Sequence, residues 1–142
     1  MKALDRRIAH PDMGRFQPDM AAAKDFVELE RIVATAVGEF GLMEFARFNM
    51  GIVLRKETGQ DQPKIVRMLI GNPLIMKEMV KHVPDAGSYA PVTILIDERS
   101  DGVHLSYDKM ASLLASYGNP DALKVAQDLD AKVERLINEA AS

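Results

Sequence analysis

The sequence predicts an α+β fold: a largely antiparallel sheet of about four strands with helices packed on one face. Three observations carry that prediction. Short segments with strand-like apolar patterns come in pairs, between Glu44 and Ile70 and again between Pro91 and Tyr107. Two longer segments, Asp19 to Phe40 and Pro120 to Glu139, instead repeat their apolar residues at helical spacing. The resulting order is helix, strand, strand, helix, strand, strand, helix, helix, without the strict strand–helix alternation of a parallel sheet. Two long helices with one apolar stripe each suit a sheet covered on a single side.

Taken in order, residues 1–18 are polar and contain the turn-like "HPDM" and "QPDM", which predicts an irregular N-terminal arm before a single domain over 19–142. Asp19 is expected to cap a helix running to about Phe40, with the stripe Phe26, Leu29, Ile32, Val33, Ala36, Val37 and Phe40. Gly41 is a natural stop for it. In "EFARFNMGIVLRKE", Glu44 to Glu57, Phe48, Met50, Ile52 and Leu54 alternate with Arg47, Asn49, Gly51 and Arg55. That predicts a strand with one apolar and one polar face. Lys64 to Ile70 is almost wholly apolar apart from Arg67 and reads as a more central strand. Pro73 to about His82 is a short helix with Met76, Met79 and Val80 on one side. "PVTILIDERSDGVHLSY" predicts a hairpin, since Val92, Ile94 and Ile96 alternate, as do Val103, Leu105 and Tyr107. A two-residue turn at Asp101-Gly102 would set Asp97 opposite Ser106. Met110, Leu113, Leu114 and Tyr117 predict a short helix ended by Gly118. The last helix has the stripe Leu123, Ala126, Leu129, Val133, Leu136 and Ile137.

The totals exclude several activities. With 142 residues the chain is about one domain's worth. A net charge of -3 and the lack of a basic run argue against nucleic acid as a partner. The absence of Cys removes disulfides, thiolate nucleophiles and most structural zinc sites, and fits a reducing compartment. "MKALDRRIAHPDMG" has no apolar core of a signal peptide, and no stretch approaches the ~18 consecutive apolar residues of a membrane span. A soluble cytoplasmic protein that does not meet a membrane is expected. His10, His82 and His104 are far apart and show no metal-ligand spacing, so neither a metal nor another cofactor is expected. No Gly-x-Ser-x-Gly elbow is present. The neighbouring carboxylates Asp128/Asp130 and Asp97/Glu98 point to diverging faces and are expected to be solvated.

Gly-Asn-Pro occurs twice, at Gly71 to Pro73 and at Gly118 to Pro120. Asn is a strong helix N-cap and Pro is favoured at the first helical position, so both copies read as helix starts, with glycine letting the chain turn. Only the helix start at Asn72 is free of a following acid and could meet an anion. The other candidate site is a polar sheet face. His104 and Ser106 share a strand parity, the hairpin adds Asp97 and Thr93, and the first strand would add Arg47, Asn49 and Arg55.

The stretches "FARFNMGIVLRK", "KIVRMLIGNPLIMKEMVKHVPDAGSYAPVTILIDE", "DGVHLSYDKMASLLASYGN" and "LDAKVERLI" resemble the bacterial domain-of-unknown-function 302 family, from Phe40 to the C-terminus. The anchors are Gly71-Asn72-Pro73, the Ala90-Pro91 step and the pattern at Ser106-Tyr107. The resemblance implies a compact α+β domain that self-associates into a dimer, and it implies no activity. Many relatives carry Cys where this chain has Gly71 and Val92, and Asp where it has Asn49, so any role of those groups is unavailable to this chain. The family's opening strand is not evident before Phe40.

Together these readings predict a cytoplasmic homodimer that serves as a small-molecule-binding or interaction module, with a possible small anionic ligand near His104, Asp97, Arg47, Asn49, Ser106 and Asn72. The alternative is an enzyme acting on a small anionic substrate, with His104 as acid, Asp97 as orienter and Arg47 as clamp. A third reading is a scaffold whose arm, residues 1–18, docks a partner.

Overall fold

Four strands pair in chain order into one antiparallel sheet: β1 (Met43–Asn49), β2 (Ile65–Gly71), β3 (Val92–Arg99) and β4 (Gly102–Ser106). The structure is a computed structural model that describes all of residues 1–142. Seven helices accompany the sheet: α1 (Lys2–Asp5), α2 (Met13–Ala22), α3 (Phe26–Ala36), α4 (Ile52–Thr58), α5 (Pro73–Val80), α6 (Met110–Leu114) and α7 (Pro120–Ala141). The fold is α+β, as the pairing of strand-like segments predicts.

Alternation along the central strands sorts the two faces. Met68 and Ile70 of β2 and Val92, Ile94 and Ile96 of β3 are buried. They join Met79 of α5, Met110 and Leu114 of α6, and the stripe Ala122, Ala126, Leu129, Val133 and Leu136 of α7 in one core. Burying each of the larger side chains contributes about 1.5–3 kcal/mol relative to exposure. The opposite parity of the same strands, Ile65, Arg67 and Leu69 with Thr93, Leu95 and Asp97, stays half-buried or exposed. A smaller cluster of Phe16, Val33 and Met43 joins α2 and α3 to the start of β1.

Four expectations change. Residues 1–18 are not an irregular arm: they contain α1 and the start of α2, and Leu4 and Ile8 are buried in the main core. Ala9 also pairs with β1, donating to the Leu42 carbonyl (3.1 Å) and accepting from the Glu44 amide (2.9 Å). Three apolar residues in a polar stretch are enough to dock it once a core exists to receive them. Secondly, the long helix from Asp19 is two helices. Asp25 accepts from the Glu28 amide and Glu28 accepts from the Lys24 amide, both at 2.8 Å, a reciprocal cap that starts α3 afresh.

Thirdly, β1 ends at Asn49 and residues Ile52–Thr58 are helical. The Met50 and Gly51 amides both turn onto the Ile65 carbonyl. Gly51 is buried, and a Cβ there would stand 2.8 Å from the Pro63 oxygen and 3.0 Å from the Ile65 nitrogen, so the chain bends where only glycine fits. Ile52, Val53 and Leu54 are left exposed. Fourthly, the hairpin turns at Ser100-Asp101, with Arg99 opposite Gly102 (φ +134) and Asp97 opposite His104 rather than Ser106. The shift is two residues, so each side chain keeps its expected face.

Candidate functional site

The open face of the sheet collects chemistry from three strands. His104 and Ser106 come from β4, Thr93 and Asp97 from β3, and Arg67 from β2. His104 Nε2 lies 2.7 Å from Asp101 Oδ1 and does not bond Asp97, its cross-strand neighbour. That contact holds the Asp101 carboxyl below the usual carboxylate range. Asp97 Oδ2 accepts from Arg99 Nε at 2.7 Å, and this raises the Arg99 pKa. Asp97 Oδ1 is buried and has no hydrogen-bond partner. The Arg67 guanidinium donates through Nε to Thr93 Oγ1 at 3.3 Å and makes no ion pair among those of the chain. Between these groups lie Ala46, Phe48, Ile65, Leu69 and Leu95, so the face is mixed rather than polar.

Arg47 and Asn49 are not part of this face. They stand opposite Met68 and Val66, on the helix-covered parity, because the strand register sets Ala46 and Phe48 toward the open side. Arg47 Nη2 donates to Asp5 (2.6 Å) and to Glu44 Oε2 (2.8 Å), and Nε donates to Glu44 Oε1 (2.8 Å). Glu44 foremost, with Asp5, holds the guanidinium firmly charged against the opposing effect of burial. Asn49 Oδ1 accepts from Arg55 Nη2 at 3.3 Å. The residues expected to serve as acid, orienter and clamp are therefore not assembled: His104 meets Asp101, Asp97 meets Arg99, and Arg47 is across the sheet.

Asp5, His10 and Glu44 come close enough together to suggest metal ligands. Arg47 already bridges both carboxylates, and His10 places Nδ1 2.7 Å from Glu44 and Nε2 2.8 Å from the Asp5 carbonyl. Both ring nitrogens face oxygen, and a guanidinium occupies the charge a cation would bring. The cluster is a clasp that fastens the N-terminal segment to β1.

Asn72 is also engaged at both ends of its amide. Its Oδ1 accepts from the Leu74 amide (2.9 Å) and its Nδ2 donates to the Gly41 carbonyl (2.9 Å). Pro73 has no N–H to offer. The α5 start is thus closed to an anion, and Asn119 caps α7 in the same way through the Ala122 amide at 3.0 Å. Gly71 is the last residue of β2, without a positive φ, and is not needed there for a turn.

Sequence reasoning missed the one buried polar residue of the chain. Asp130, on α7, is buried rather than solvated. It accepts from the Tyr107 hydroxyl (2.5 Å), the Met110 amide (2.8 Å) and the Ala111 amide (3.0 Å). Burial and then Asp130 push the Tyr107 hydroxyl well above its ordinary pKa. The signal was present in the helical register, since Asp130 lies one residue after Leu129 and four after Ala126 on the inward stripe.

The family model for the domain of unknown function DUF302 matches residues 19–140. The chain belongs to the DUF302 family. A solved structure, the crystal structure of an uncharacterized conserved DUF302 protein from Bacillus stearothermophilus, is similar with a TM-score of 0.63 at 10% identity, covering 94% of each chain. At that identity the likeness speaks for a shared fold. No curated protein matches. Within this DUF302 chain no helix is long and apolar enough to cross a membrane.

Proposed function

We propose that this DUF302 chain is a non-enzymatic interaction module that works as a cytoplasmic homodimer, with the open sheet face as its contact surface. The observation that carries the reading is Asp97, a carboxylate with one oxygen buried and unpartnered, on the same face as Arg67, a cation without an ion pair. A buried acceptor left empty is costly. In a two-fold interface each residue meets its complement twice, so a face that carries Arg67 without an ion pair and Asp97 with one oxygen unpartnered is self-complementary. Phe48, Leu69 and Leu95 between them supply apolar contact, and Phe48 is 46% exposed in the isolated chain.

The test is molar mass by light scattering across a dilution series. Wild type is expected at twice the chain mass and Arg67→Glu at the single mass. A wild type that stays monomeric at every concentration, or an Arg67→Glu protein that dimerises as well as wild type, would sink the reading.

A further inference from the structure

A cavity of about 270 Å³ opens where β2 ends and α5 begins. Its floor is core: Ile70, Met79, Val92 and Leu129 are all buried. Its rim carries Met20 and the exposed Met76. For scale, an apolar cavity of about 150 Å³ stays dry and holds benzene. We infer that this cavity is a binding site for a small, neutral, mostly hydrocarbon molecule about the size of a bicyclic aromatic.

Three features define that ligand class. The first is the absence of charge: no Asp, Glu, Lys, Arg or His lines the cavity. A charged molecule would lose its hydration there with nothing to replace it. The second is the state of the polar wall. Asn72 is the one polar side chain lining the cavity, and both ends of its amide are taken by Gly41 and Leu74. Pro73 and Pro91, also in the wall, have no N–H. Little remains to orient a polar ligand, and shape and dispersion do the selecting. Methionine in the rim and floor allows the walls to adapt to the occupant.

The third feature is Gly71. It is buried, it lies in a strand, and its φ is not in the left-handed region, so its backbone accepts any L residue. A Cβ added there would make ordinary contacts, 3.5 Å from Phe45 Cε2 and 3.6 Å from Pro91 Cβ. Both of those neighbours also line the cavity. Gly71 closes β2 in extended backbone, and no turn there requires a glycine. What its missing side chain provides is space, which makes Gly71 the residue that sets how large an occupant the site admits.

The chain has no Trp, so a methylindole probe can be followed by its own fluorescence. The experiment titrates the full chain with 1-methylindole and with its anionic counterpart 1-methylindole-3-carboxylate, reading anisotropy and the thermal midpoint. Expected are saturable binding of the neutral probe, one per chain, with a raised midpoint, and at least tenfold weaker binding of the carboxylate. Gly71→Val should keep its fold and lose at least tenfold in affinity for the neutral probe. Should that variant fail to fold, Gly71→Ala, whose Cβ meets only ordinary contacts, and Met76→Phe, which narrows the mouth from an exposed position without adding an indole, should each weaken binding measurably. The inference is overturned by a wild type that takes up no neutral probe, by equal binding of the carboxylate, or by folded Gly71 and Met76 variants that bind as wild type does. These outcomes are independent of molar mass, and so of the sheet-face reading.

Discussion

Asp130 and Asp97 are both aspartates withdrawn from solvent, one in the helical layer and one on the open sheet face. Asp130 accepts from three donors, and these tie α7 to the start of α6 and to Tyr107. Asp97 accepts from Arg99 alone and leaves Oδ1 empty. The difference separates two uses of the same side chain. A buried polar group that is fully satisfied belongs to the fold's own stability. One that is half satisfied, on the same face as a cation with no ion pair, is the group that the proposed interface would complete.

The largest expected effect breaks the satisfied side of the comparison. Asp130→Ala orphans two amides and a hydroxyl at once and should cost about 3 kcal/mol in chemical denaturation, with a loss well under 1 kcal/mol counting against the structural role. Next is Tyr107→Phe, which removes one hydrogen bond to a charged acceptor and should cost about 2 kcal/mol by the same measurement.

The same tyrosine gives a pH dependence. The folded Tyr107 keeps its proton beyond the ordinary value of 10.0, while the unfolded chain ionises there. A folded pKa raised above the unfolded one contributes stability that is full below 10.0 and is lost as pH rises beyond it. Stability should therefore fall with alkaline pH, and Tyr107→Phe should flatten that fall. The slope that survives belongs to Lys109, whose ammonium is held charged by Glu134, and to Tyr117, whose hydroxyl is pushed to about 12, chiefly by Tyr89.

On the unsatisfied side, Arg67→Glu should move fold stability by no more than about 0.5 kcal/mol while abolishing self-association, a separation that unfolding and light scattering together can check. The smallest effect belongs to His104→Ala. Its only bond is to the exposed turn residue Asp101, so stability should stay within about 0.5 kcal/mol and the molar mass should not change.

Much of the molecule was legible from its sequence. Both Asn-Pro helix starts, the stripe of α7, the alternation of β3 and the faces of β4 follow from signals a few residues long, and each formed as its spacing implied. A two-residue error in the hairpin register did no harm to the face assignment, because side-chain direction has a period of two. The candidate site was less legible. His104, Asp97 and Ser106 share a face as expected, whereas Arg47 and Asn49 do not, since the side of an edge strand depends on its pairing with β2 rather than on its own alternation.

The sequence by itself determined where α5 and α7 begin, which positions of β3 and β4 alternate and which chemistries are missing, because capping, periodicity and composition act within a turn or two of chain. Tertiary structure alone decided that Leu4 and Ile8 enter the core, that the chain bends at Gly51, that Asp130 finds three donors and that Gly71 borders a cavity. Each of these depends on atoms brought together from distant parts of the chain. No local pattern encodes a contact whose other half lies a dozen or more residues away.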